Sequence, residues 1–483
     1  MIKMAHLLTK SKYMQGQQCL RLLWLSTNKL LPEKTIAEKQ KLEQGHSFEE
    51  YAHKLFPEAV NLAELGFEEN LEKTKELIEQ KKTIFEAGLK VDDMFLRADV
   101  LEPTENGWNL YEIKASTKQK PEHIPDLAFQ KFVCEKAGLN IEKCFVLHLN
   151  KDFIKNGEIN PKELSEIEEV TEKVNLIDDV KKNSKLYLEI MNSKEKPEIL
   201  ISKNCNSPYP CAVKKDCWGT LPKNNVLHLT NWRVYWKLFD DGIIDLKDVP
   251  KGTKLTPKDE TILEGETQEK IMISKEHIKH YLNSLKYPLC HLDFETFDTA
   301  VPIFDKSRPW QKMPFQYSVH IQPENEEIIH YEYLAEDGED PRPKLLKNLK
   351  EHTKGSGSVI VFNKSFEINV LNKLAEDFPE HKDWIQNVLD RIIDLAVPFQ
   401  SFYYYNPSQK GSYSIKKVLP AITGKGYDGL EIGNGGDASA LYFYSHVKKE
   451  IDGKEDIRKN LLKYCCLDTE GMVWIIDELK KLV

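Results

Sequence analysis

Apolar positions recur with two different periods along this chain, and the switches between them mark out its organisation. Residues 1 to about 60 read as helical, with an apolar stripe through Cys19-Leu-Arg-Leu-Leu-Trp-Leu25 and then a long polar helix from Glu33 to Phe56. Residues 68 to 87 predict a charged, solvated helix. Near Phe95 the period drops to two, so Phe95–Leu101 and Trp108–Lys114 predict paired strands joined by a turn through Pro103–Gly107. Helical patterning resumes at Leu127, and residues 151 to 200, rich in Lys, Glu, Asn and Ile, predict further helices with solvated charged faces. An amphipathic helix opened at Thr230 and closed by Gly242 carries Trp232 and Trp236, both expected to pack in an interdomain core; another helix opens at Ser274. The second half begins with three strand patterns, Pro288–Glu295, Phe315–Gln322 and Ile328–Leu334. A helix from Pro341, a strand Ser358–Phe362 and mostly helices complete it.

These patterns divide the 483 residues into a first domain, 1–222, a helical connector, 223–285, and a second domain, 286–483. With 40% hydrophobic and 30% charged residues the chain reads as globular and not disordered. No apolar run is long enough to cross a bilayer, and the polar start lacks a signal-peptide core, so a cytoplasmic protein is expected. A net charge of −9 argues against sequence-independent adhesion to nucleic acid over the whole surface, yet it suits acidic metal centres beside local basic patches. In that compartment nine cysteines are expected as ligands, reactive groups or core fillers, not disulfides.

Two groups of acids change the picture. On a strand, Asp293 and Glu295 point to one face and present two carboxylates to a common point, half of a metal site. Tyr464 and Asp468, four apart, stack on one helix face. The neighbours of Asp468 are largely apolar, so its carboxylate needs a partner, and a cation is the obvious one. With Asn363-x-x-Phe366-Glu367, these stretches resemble the three motifs of the DnaQ-like 3'-to-5' exonucleases, the DEDD class in its tyrosine subclass. The resemblance implies an RNase H-like mixed sheet and a site of Asp293, Glu295, Glu367 and Asp468 holding two Mg2+ or Mn2+ ions. It gives Tyr464 the role of orienting water, and Asp394 falls where many relatives carry an accessory aspartate. Glu367 stands in place of the usual aspartate. Lys416 and Lys417, beside Tyr403-Tyr-Tyr405, are candidates for phosphate contact and base stacking, with a solvated basic turn and a packed aromatic edge as the alternative. Cys465 and Cys466 read as helix-packing residues.

In the first half, Asp99 on one strand and Glu112-x-Lys114 on the next form a carboxylate-carboxylate-lysine set that can bind a divalent metal and polarise water. Glu49 on the preceding helix could add a ligand, and Gln130 begins the following helix. Cys205, Cys211 and Cys217 fall within thirteen residues of a loop threaded by Pro208 and Pro210. With Cys19 they resemble the iron-sulfur RecB-like PD-(D/E)XK nucleases, including the CRISPR-associated adaptation exonucleases, over about residues 15 to 220. The resemblance implies a restriction-endonuclease-like fold, metal at Glu49, Asp99 and Glu112, substrate contact at Gln130, and a 4Fe-4S cluster on the four cysteines; Zn2+ is the rival, as four thiolates also suit it, although its sites usually use shorter spacings. The chain departs from that pattern at Glu49, where a histidine is usual, and at Cys134, where a tyrosine is usual.

Joined in one α/β chain, the two modules resemble an uncharacterised bacterial two-nuclease family with suspected roles in DNA repair or phage defence. The expected substrate is nucleic acid with a free end, DNA ahead of RNA. Two alternatives stay open: a first half that only binds nucleic acid, and a wholly non-catalytic end-binding scaffold.

Overall fold

A computed structural model of the protein describes residues 6–483 as a mixed α/β chain; Met1–Ala5, the beginning of the stretch expected to be helical, lie outside the described residues. Contacts divide the chain into two compact units. The first comprises residues up to Lys34, Glu38–Thr220 and Thr299–Trp310; the second comprises Thr35–Ala37, Leu221–Asp298 and Gln311–Val483. Among the described residues no helix is long and apolar enough to cross a membrane.

The first unit is built on a seven-stranded sheet. Its strands are β1 (Leu8–Thr9), β2 (Val60–Asn61), β3 (Ile84–Val91), β4 (Met94–Pro103), β5 (Trp108–Lys114), β6 (Ile141–Leu149) and β7 (Ser165–Glu169). They run in the order β2-β3-β4-β5-β6-β7, with β1 added parallel to the start of β4. β5 and β6 are parallel, and the helix His123–Lys136 lies between them in the chain, as a parallel pair requires. Two strands lie where helix was expected. The charged helix stops at Glu79, and Ile84–Val91 pairs with β4 instead, burying Ile84, Phe85, Ala87 and Leu89. Ser165–Glu169 pairs with β6 despite its polar composition. In both cases the partner strand outweighs local propensity.

In the second unit β8 (Met272–Ile273) pairs with β14 (Tyr404–Tyr405) beside a five-stranded sheet. That sheet contains β9 (Leu289–Phe297), β10 (Met313–Gln322), β11 (Ile329–Leu334), β12 (Val359–Val361) and β13 (Ile392–Asp394), ordered β11-β10-β9-β12-β13. β9, β10 and β11 pair antiparallel, whereas β12 and β13 run parallel to β9. Cross-strand partners point to one face, and the register opposes Asp293 to Ser318, His291 to His320 and His320 to His330. One face of the sheet is therefore polar where the other carries Leu292, Phe294, Tyr317 and Val319. The last helix, Lys454–Lys481, packs on that polar face: Leu461 carbonyl accepts from Gln316 at 2.9 Å, and Thr469 Oγ1 lies 2.6 Å from Ser318 Oγ. The helix carrying Trp232 begins at that residue, capped by Asn231, and Trp232 is 57% exposed, not core.

Where β12 meets β9 the backbones close to contact. Ser358 N donates to Lys286 O at 2.7 Å and Cys290 N to Ser358 O at 2.9 Å. A Cβ on Gly357 would lie 1.9 Å from Pro288 O, a backbone atom with no room to yield. Gly357→Ala is expected to destabilise the second unit by about 1–3 kcal/mol, as overpacking does, read as a lower denaturant midpoint at unchanged slope.

Candidate functional site

The polar face brings Asp293 and Glu295 of β9 against Asp468 of the last helix. One carboxylate oxygen from each lies within 4.8 Å of the others. Glu367 enters from the first turn of the helix Ser365–Asp377; it is buried, and its Oε2 has no hydrogen-bond partner. Burial first, and then the charges of Asp468, Glu295 and Glu367, push the Asp293 carboxyl well above its ordinary range. Burial and the Asp468 charge raise Glu295 to about 8; burial, with Asp394 and Asp468, raises Glu367 to about 8. Asp468 rises to about 6, its burial offset by a hydrogen bond from Tyr427 and by Lys416. Three carboxylates thus converge, the charge of Glu367 reaches Asp293, and among the described residues Lys416 is the ammonium that offsets them. The donor set fits hard divalent cations, and the orphaned Glu367 oxygen is what such an ion would satisfy.

Several residues position this set. Asp394 accepts from the backbone of Asn363 at 2.9 Å and Lys364 at 3.1 Å, which pins the loop leading to Glu367; Asn363 itself sits at φ 69°. Tyr427 donates to Asp468 Oδ1. Lys416 Nζ lies 5.2 Å from the Tyr464 ring centre and 5.5 Å from that of Tyr427, and donates to Gly433 O at 2.7 Å. Burial holds the Tyr464 phenol well above its ordinary value, with Asp468, Glu295 and Asp293 adding to the shift, so it is a donor and not a base. Lys417, next on the helix Ile415–Thr423, lies about 100° round from Lys416. Tyr404 and Tyr405 are buried, and Tyr405 donates to Glu266 at 2.6 Å, which takes them out of reach of a base; Tyr403 stacks on His277. Tyr427 carried no sequence signal: it lies 41 residues from its partner in a loop.

The first unit assembles a different centre. Lys10 Nζ lies 3.0 Å from Asp99 Oδ1 and 2.9 Å from Glu112 Oε1. Lys114 Nζ lies 2.5 Å from Glu112 Oε1 and 2.9 Å from Asp126 Oδ2, and Gln130 donates to both Glu112 and Asp126. Against the cost of burial, Lys10 and Lys114 hold the Glu112 carboxyl well below its usual range, whereas burial and the Glu112 charge raise Asp99 to about 7. Three acids face two ammoniums, and Lys10 Nζ bridges Asp99 and Glu112 at hydrogen-bond distance. Glu49 is instead bound by His46 at 3.0 Å, half-exposed; its charge reaches Glu86, which sits within β3 at φ 56°. Lys10 and Asp126 were missed because nothing local marks them; helical spacing from Gln130 could have flagged Asp126. Cys134 is fully buried in the first unit's core.

The four cysteines lie in one neighbourhood: Cys19, Cys211 and Cys217 pack against Leu22, Leu25 and Val213, and Cys205 is close enough to raise the Cys211 and Cys217 thiols. Cys19 separates two short helices, and Gln18 Nε2 ties them to the cysteine loop through Asn204 O at 2.9 Å and Tyr209 O at 2.7 Å. Cys211 N donates to Cys205 O at 2.9 Å. Burial, and then the charges of Cys19, Cys205 and Cys217, raise Cys211 against a backbone hydrogen bond from Val213; burial raises Cys217, with relief from Arg21 and additions from Cys19, Cys205 and Asp216. All four are free thiols.

A domain of unknown function, DUF2779, matches residues 290–414, a span that contains Asp293, Glu295, Glu367 and Asp394 and stops short of Asp468. The uncharacterized protein MG366 of Mycoplasma genitalium is 27% identical over 253 residues, covering 47% of this chain and 37% of that protein. The uncharacterized protein UU173 of Ureaplasma parvum serovar 3 is 26% identical over 223 residues, covering 41% and 32%. The chain thus spans about a third of the length of these relatives. Among solved structures, an alkaline exonuclease (LHK-Exo) from Laribacter hongkongensis aligns with a TM-score of 0.25 and 12% identity, over 38% of this chain and 87% of that one.

Metal-free, the carboxylate cluster makes stability depend on pH. Glu295 and Glu367 sit near 8 in the folded state, above their unfolded values, so the fold favours their protonated forms. That preference destabilises the folded state progressively as pH rises from the ordinary carboxylate range through about 8. In chelator, the melting temperature is expected to fall between about pH 5 and pH 8.5, with Mg2+ or Mn2+ recovering most at the upper end. Glu367→Gln should flatten the slope; a slope unchanged by that substitution would count against the cluster.

Proposed function

We propose that the chain is a metal-dependent nuclease whose working centre is Asp293, Glu295, Glu367 and Asp468. The observation that carries this reading is the convergence of three carboxylates within 4.8 Å, those of Glu295 and Asp468 buried and that of Asp293 half-buried, with Lys416 the ammonium that offsets them among the described residues. The β11-β10-β9-β12-β13 order, with acids on the central strand and the last helix, supports an RNase H-like sheet and a DnaQ-like 3'-to-5' exonuclease assignment. Two divalent ions of the magnesium or manganese class, bound by these four carboxylates, would supply activation of water and neutralisation of phosphate charge. The residues do the rest. The protonated Tyr464 hydroxyl donates to and orients the attacking water. Lys416 offers a positive charge to a phosphate oxygen, and Tyr427 holds one Asp468 oxygen so that the other faces the reacting group. Asp394 keeps the Glu367 helix in register.

For the first unit, the Lys10 ammonium bound to both Asp99 and Glu112 favours a nucleic-acid-binding module, or a weakly active one, over an equal second hydrolytic centre of the PD-(D/E)XK type. Cys19, Cys205, Cys211 and Cys217 would hold its 4Fe-4S cluster, with Zn2+ as the rival.

Two measurements test these assignments. With end-labelled DNA and RNA and added Mg2+ or Mn2+, Asp293→Asn is expected to lower cleavage by roughly 10²-fold or more, while Glu112→Gln keeps most of it. An Asp293→Asn protein cutting at the wild-type rate would overturn the reading. Anaerobically purified protein is expected to absorb broadly near about 400 nm through thiolate-to-iron charge transfer; a colourless, zinc-replete protein would replace the cluster with zinc.

A further inference from the structure

The polar face of the second unit's sheet holds another convergence of ligands that the nuclease reading does not use. His320 of β10 lies directly across from His330 of β11, and Cys466 faces them from the last helix. One ligand atom of each lies within 4.8 Å of the other two. The imidazole rings stack with centroids 4.2 Å apart and planes 17° from parallel.

A chain of hydrogen bonds assigns the tautomers. Thr469 Oγ1 donates to Cys466 O at 3.1 Å, a carbonyl that can only accept. Its single proton is then spent, so Ser318 Oγ, 2.6 Å away, must be the donor in their shared bond. With both hydroxyl protons committed, His320 Nδ1 donates to Thr469 at 2.8 Å and His330 Nε2 donates to Ser318 at 3.0 Å. The lone pairs therefore remain on His320 Nε2 and His330 Nδ1. Neutral imidazoles with one nitrogen held by a hydroxyl and the other bare are what metal-ligating histidines require.

We propose that His320, His330 and Cys466 form a binding site for a divalent transition metal of the zinc class, separate from the carboxylate centre. Two imidazoles and a thiolate suit a borderline-soft ion and not magnesium, with a fourth position left for water. Loading would release the Cys466 thiol proton to solvent. Cys466 lies between Tyr464 and Asp468 in sequence, so the ion would tie the turn carrying both to β10 and β11.

The test adds Co2+ to chelator-treated full-length protein. Difference spectra of the wild type are expected to gain a near-ultraviolet thiolate-to-cobalt band that Zn2+ abolishes. Cys466→Ser should lose that increment and His330→Ala should weaken its binding at least tenfold. His330→Cys, which keeps a ligand, should restore it, and Asp293→Asn should leave it intact, so that the result stands apart from the nuclease assignment. Equal band intensity and equal metal stoichiometry in folded wild-type, Cys466→Ser and His330→Ala proteins would overturn the proposal and leave the cluster as polar packing.

Discussion

The second unit depends on confining like charge. Asp293, Glu295, Glu367 and Asp468 are brought together beneath a helix whose other contacts are largely apolar, and each carboxylate pays in desolvation as well as in repulsion. Such an arrangement persists only if the surrounding fold is rigid or if a cation compensates it. The first condition leaves traces: Asp394 clamps the backbone that leads to Glu367, and the β12 entry is closed on Pro288, while Glu367 Oε2 stays without a hydrogen-bond partner.

The first unit solves the same electrostatic problem with its own side chains. Asp99, Glu112 and Asp126 are as deeply buried, but Lys10 and Lys114 lie among them at hydrogen-bond distance. An internal ammonium offsets part of the acids' charge but cannot supply what a hydrated divalent ion supplies to a reacting phosphate. The comparison separates two acid clusters that look alike as motifs: one sets two ammoniums among three acids, the other has Lys416 alone among the described residues to offset its carboxylates.

Much of this was legible because the relevant geometry is local. Asp293 and Glu295 share a strand face by their spacing, Tyr464 and Asp468 share a helix face by theirs, and the apolar flanks of Asp468 already imply a buried partner. The strand patterns of β9, β10 and β11 were read to within a few residues. Ile84–Val91 was not, since a charged helix runs almost to its edge and only pairing with β4 makes it a strand. Nor were Lys10, Asp126 and Tyr427, whose importance lies wholly in what they touch.

Sequence alone therefore determined which residues could carry metal chemistry, because side-chain periodicity in strands and helices is a short-range property of the backbone. Tertiary structure decided which of those groups are charge-compensated. That depends on contacts such as Lys10 with Glu112 and Tyr427 with Asp468, made across 102 and 41 residues. It also decided that Cys466 faces two histidines instead of simply packing its helix, because the register of β10 against β11 places His320 opposite His330.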